Sequence, residues 1–202
     1  MKYFENKLPD GYILAETLDP KSKKGKLIGF IGFLVMALGL TLALVLIGIK
    51  NIYNAIQAMD KTKLIITLLV YFVLLFIYII IHELIHGLFY KIYTRQILKF
   101  GMNGKVAYCG VPGIYVYRNA IMVILIAPCV VLATAFLIPT ILIHNVVIKF
   151  LLSVLLIIQF GGCIYDIYDF FVLLFKYKDP KTLIYDDGPT QKFYLPKKDG
   201  EV

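Results

Sequence analysis

The 202-residue chain has no tryptophan, only three cysteines and three histidines, and thirteen acidic residues against twenty-one lysines and arginines. Each shortage excludes something. Cys109, Cys129 and Cys163 show no CxxC spacing and cannot all pair, so neither a disulfide framework nor a cysteine zinc site is expected, and all three read as buried thiols. The shortage of acid leaves a net charge of +8. No basic stretch is interleaved with stacking aromatics, however, so nucleic acid is not an expected partner, and the charges instead flank apolar runs. Without tryptophan, tyrosine and phenylalanine must serve any membrane interface. The N-terminal MKYFENKLPDGYILAETLDP has no apolar core of the kind a cleavable signal peptide needs, so the first hydrophobic run is expected to remain in the protein. Internal repeats and low-complexity segments are also missing.

What is abundant is apolar surface. Hydrophobic residues make up 60% of the chain and the mean hydropathy is +0.80, more than one soluble domain could hide, which makes the bilayer the expected solvent and partner. Four runs are long enough to cross roughly 30 Å of hydrocarbon as helices: 27–49, 64–90, 120–143 and 150–175. The link at 144–149 is short enough to make the last two antiparallel. Seventeen of the twenty-one basic residues fall in the N-terminal segment, the central loop (91–118) and the tail, against four on the other side. The positive-inside rule therefore places both termini and the central loop in the cytoplasm of a multi-pass protein, expected in a bacterial plasma membrane. In the central loop, Asn103-Gly104 suits the tight turn of a short β-hairpin. The tail, with Asp179-Pro180 and Asp187-Gly188-Pro189, reads as turns and extended pieces too short for a second domain. The expected fold class is all-α, four transmembrane helices with one short cytoplasmic hairpin, divided into an N-terminal segment (1–26), a membrane domain (27–176) and a tail (177–202).

Ionisable groups inside lipid are costly and mark function. Glu83, Asp166 and Asp169 are the acidic residues inside the four runs, and His82 and His86 lie there too. All five fall on the second and fourth runs. In HELIH, residues 82–86, the two histidines are one helical turn apart on one face and can direct ring nitrogens at a common zinc ion. Glu83, about 100° around the axis, is placed to act as general base on the attacking water. A catalytic zinc takes three protein ligands, so a third donor is required. Asp166 lies about 15 Å above Lys176, and His82 about 13 Å above Lys91, on runs that both head inward. Asp169, one turn lower, is not excluded by depth. His144, at the outer interface, is expected to be structural. Gly161 and Gly162 suit close approach of the fourth run to the second. Gly87 either admits substrate or relieves crowding, and Pro128 and Pro139 are given no catalytic part.

Taken together, HELIHG, the Ala127-Pro128 pair in the next run and GGCIYDI at 161–167 in the last resemble a family of small four-helix membrane zincin peptidases, itself similar to the site-2 protease core. The resemblance implies that His82 and His86 are zinc ligands, that Glu83 is catalytic and that Asp166 is the third ligand. Here Cys163 and Tyr165 stand where the family has a small residue and a glycine before the aspartate, and no Asn-Pro pair of the site-2 protease kind is present. The expected activity is hydrolysis of peptide bonds in membrane or membrane-proximal substrates by zinc-activated water. Two alternatives stand beside it: a zinc-binding membrane protein without proteolysis, and a polar transport or proton-relay path through His82, Glu83, His86 and Asp166.

Overall fold

The computed structural model describes residues 2–103, 106–188 and 190–197. Gly104 and Lys105 of the expected hairpin turn lie outside them, as do Pro189 and Lys198. In chain order the elements are β1 (Phe4–Glu5), β2 (Tyr12–Leu18), α1 (Lys23–Ile47), α2 (Ile49–Gln57), α3 (Lys61–Thr94), β3 (Lys99–Asn103), β4 (Val106–Gly110), β5 (Tyr115–Tyr117), α4 (Arg118–Leu142), α5 (Val146–Gly162), α6 (Ile164–Phe171), a π-helical turn (Val172–Lys176), β6 (Leu183–Asp186) and β7 (Gln191–Pro196).

The all-α expectation is overturned. Among the described residues there are six α-helices and seven strands in two sheets, so the fold is mixed α/β. Strands β3 and β4 pair antiparallel, with Lys99 opposite Gly110 and Asn103 opposite Val106. The second sheet has the order β1-β5-β6-β7-β2 and draws on both ends of the chain and the segment before α4. Its centre is apolar: Val116, Leu183, Ile184 and Phe193 are buried. These strands run two to seven residues, and their pairing partners lie up to about 180 residues apart in sequence. The tail, read as turns and extended pieces, therefore supplies β6 and β7, two of the three interior strands of this sheet.

Helices α1, α3 and α4 are long and apolar enough to cross a membrane, and α5 with α6 and its π-turn makes a fourth if that bent pair counts as one span. At 34 residues α3 is about 51 Å long, well beyond the thickness of a hydrocarbon core. The fourth run, expected as one helix, is broken at Cys163, whose N–H caps back onto the Gln159 carbonyl.

The chain divides into two compact units. The first comprises Met1–Gly29, Glu83–Pro128 and Tyr165–Val202 and holds both sheets. Two polar ties organise it. Glu16, beside a bulge in β2, accepts hydrogen bonds from Lys24, Lys176 and Tyr177. Burial works to raise its carboxyl, but these donors win and hold it at about 2. Arg118, at the start of α4, gives its Nε–H to the carbonyls of Leu173, inside the π-turn, and Tyr177, just after it.

The second unit comprises Phe30–His82 and Cys129–Ile164. Small residues set its helix contacts. A Cβ on Gly161 would stand 2.2 Å from Met36 Cγ, and one on Gly162 would stand 3.1 Å from the Tyr78 hydroxyl. The glycine pair thus serves two neighbours: Gly161 packs on α1 and Gly162 on α3.

Candidate metal centre

His82, Glu83 and His86 ride on the unbroken helix α3. Both histidines are buried and Glu83 is half-buried. The His82 ring meets Tyr78, one turn earlier, edge to face at 6.2 Å. His86 Nδ1 lies 2.9 Å from the Ile124 carbonyl on α4. A carbonyl oxygen only accepts, so Nδ1 carries a proton and Nε2 is the ring nitrogen left to face a metal.

That Nε2 faces Asp166 Oδ2 at 3.6 Å. Asp166 stands in the first turn of α6, so the break at Cys163 gives the carboxylate a helix N-terminus, the end that favours negative charge. His82, His86 and Asp166 each offer one ligand atom, and these atoms lie within 4.8 Å of one another. Two donors about 2.1 Å from a tetrahedral zinc would be about 3.4 Å apart, so the donor types and spacing fit that ion. Of the two aspartates on α6, Asp166 is in this cluster and Asp169 is outside it. Asp169 is fully buried, and neither of its oxygens accepts a hydrogen bond among the described residues. His144 is exposed and also outside the cluster.

The β3–β4 hairpin rests on α3 directly after the histidines. A Cβ on Gly87 would stand 2.9 Å from Phe100 Cζ, 3.1 Å from Leu98 Cδ1 and 3.3 Å from Cys109 Sγ. Relief of crowding against the hairpin is therefore sufficient reason for that glycine. Burial pushes the Cys109 thiol up to about 12, with Glu83 and then Asp186 acting in the same sense. Cys109 consequently stays a neutral thiol beside the carboxylate of Glu83.

Two residues near the centre escaped sequence reasoning. Tyr90, one turn beyond His86, donates its hydroxyl to Asp186 Oδ2 on β6, and the Gly188 N–H donates to Oδ1 at 2.9 Å. Burial raises the Asp186 carboxyl from 3.8 to about 7; the two hydrogen bonds and the charge of His86 oppose that rise, and Asp166 adds to it. This pair ties the five-stranded sheet to the helix that carries His82 and His86. The Asp-Asp-Gly run at 186–188 was the available signal, and it registered only as a turn.

A family model with the description "Putative zincin peptidase" matches residues 75–181, more than half of the chain. The match takes in the HELIH segment, the Ala127-Pro128 pair and Asp166, and stops before β6 and Asp186. No match was found among curated proteins or among solved structures.

Proposed function

The chain belongs to this zincin-peptidase family, and from that premise we propose that it is a membrane-embedded zinc metalloprotease acting on membrane or membrane-proximal peptide bonds. The observation that carries the reading is the cluster of His82, His86 and Asp166 donors within 4.8 Å of one another, with Glu83 next to His82 on the same helix. In this reading His82, His86 and Asp166 are the ligands and Glu83 is the catalytic base. Zinc held there would supply Lewis acidity toward the scissile carbonyl and lower the pKa of water. Glu83 takes the proton of the attacking water on its carboxylate and passes it to the leaving amine. His86 contributes a neutral imidazole, its Nδ1–H engaged with Ile124.

The hairpin resting on Gly87 offers strand edges beside the site, and an extended substrate segment can pair with one of them. The five-stranded sheet hydrogen-bonds the N-terminal segment, the central loop and the tail together. These are the three lysine-rich segments, which supports a shared side of the membrane, and the positive-inside rule makes that side the cytoplasm.

The test is zinc content and cleavage in detergent-purified protein. The wild type is expected to hold one zinc per chain and to cleave a membrane-tethered peptide. His86→Ala should lose the zinc, and Glu83→Gln should keep it and lose cleavage. Stoichiometric zinc in His86→Ala would end the ligand assignment, and cleavage surviving in Glu83→Gln would end the mechanism.

A further inference from the structure

We propose that Pro128 is a positioning residue for His86: by withholding a backbone N–H from the Ile124 carbonyl, it dedicates that carbonyl to the His86 Nδ1–H and so fixes which ring nitrogen faces the metal. The proposal rests on the reading of His86 as a ligand.

In a helix the carbonyl of residue i accepts from the N–H of residue i+4. Helix α4 runs through Pro128 without ending, and the residue four before it is Ile124. Proline has no N–H, and its ring crowds the carbonyl four residues back and tilts it away from the axis. That is the carbonyl 2.9 Å from His86 Nδ1. Ile124 is fully buried and His86 nearly so, which leaves little access for a water to take over either role. A buried imidazole whose Nδ1–H lacked an acceptor could turn or switch tautomer, presenting N–H where a lone pair is needed. The Ala127-Pro128 pair is therefore a device that turns helix backbone into a histidine support, with no polar side chain placed in the apolar span.

Pro139 supplies the internal control. It lies in the same helix and withholds an N–H from the Ala135 carbonyl in the same way, whereas the carbonyl facing His86 Nδ1 is that of Ile124. Replacing either proline by alanine restores one helical hydrogen bond, so any general stiffening of α4 is common to both variants.

The experiment is nitrogen-15 NMR of the three histidines in chelator-treated, full-length protein in detergent, recorded in alkali so that each imidazole ring holds a single proton, with zinc affinity measured on the same samples. The wild type is expected to show His86 as the Nδ1–H tautomer. Pro128→Ala should lose that tautomer and bind zinc 10- to 100-fold more weakly, the range for losing a partner that orients a metal-bound histidine. Pro139→Ala should match the wild type in both. A Pro128→Ala variant that keeps the Nδ1–H tautomer overturns the proposal, as does an equal loss in Pro139→Ala. A wild type that binds no zinc would instead overturn the ligand reading, while the tautomer comparison still decides the role of Pro128.

Discussion

Replacing Asp186 by asparagine should make the metal-free protein more stable in mild alkali and less stable in acid. The carboxyl is buried and raised from 3.8 to about 7, a difference of roughly 3 units, or about 4 kcal/mol. The sign follows from which state holds the proton more tightly. The folded state does, so the stabilising contribution is complete below pH 3.8, declines as pH rises and is gone above about pH 7. Asparagine carries no charge and escapes that decline. Tyr90 and Gly188 donate to different carboxylate oxygens and asparagine replaces one of these by a donor NH2, so one hydrogen bond is lost at about 1–3 kcal/mol. The net expectation is a variant more stable by about 1–3 kcal/mol at pH 8 and less stable by a similar amount near pH 4, with the two curves crossing at about pH 5. Thermal or denaturant unfolding in detergent, with chelator present so that His86 and Asp166 act through their own charges alone, measures both curves. Parallel curves, offset by the same amount at every pH, would refute the reasoning.

Glu16→Gln should lower unfolding stability at pH 7 by about 1–2 kcal/mol: the displacement from 4.5 to about 2 bounds the effect near 3 kcal/mol, and the half-exposed lysine partners reduce it by screening. Because this carboxyl is lowered on folding, the contribution is present above pH 4.5 and lost as pH falls toward 2, so the difference between variant and wild type should vanish over that window in an acid titration of the melting temperature. Gly188→Ala should destabilise by about 2–4 kcal/mol, since the position has φ +112° and a Cβ there would stand 2.1 Å from Tyr108 Cδ2. A melting temperature unchanged in that variant would show that the turn beneath Asp186 relaxes freely.

The candidate metal site was far more legible than the fold around it. HELIH declares itself because a helix periodicity, two histidines and a carboxylate coincide in five residues, and counting rise along two runs brought Asp166 to its depth without excluding Asp169. The sheet gave no such signal. Strands Leu183–Asp186 and Tyr115–Tyr117 are too short to establish a two-residue period, and Phe4 meets its partner Val116 only across more than a hundred residues. Asp186 was hidden for the same reason: its neighbour Tyr90 is set by that long-range pairing. Pro128 was visible and was given no catalytic part; the positioning role proposed for it depends on which side chain faces the carbonyl four residues earlier, which the sequence does not display.

Helix α3 carries one further signal that hydropathy conceals. From residue 61 to 77 nothing on it is buried, whereas Tyr78, His82, His86, Tyr90 and Thr94 are all buried, each four residues after the last. Such spacing forms one continuous stripe along a helix. Every member of it is polar or has a polar tip, while Phe76, Ile80, Leu84 and Leu88 on the remaining surface stand more than half exposed. This inverts the pattern of a soluble helix, whose buried face is the apolar one. The inversion follows from the solvent: with hydrocarbon outside, apolar side chains lose nothing by exposure, and polar groups must turn inward to find partners. Apolar residues therefore surround α3 on nearly all sides, but the helical period followed by hydroxyl and imidazole groups marks the stripe from Tyr78 to Thr94. It joins the two histidines of the candidate centre to Tyr90 and, through it, to Asp186.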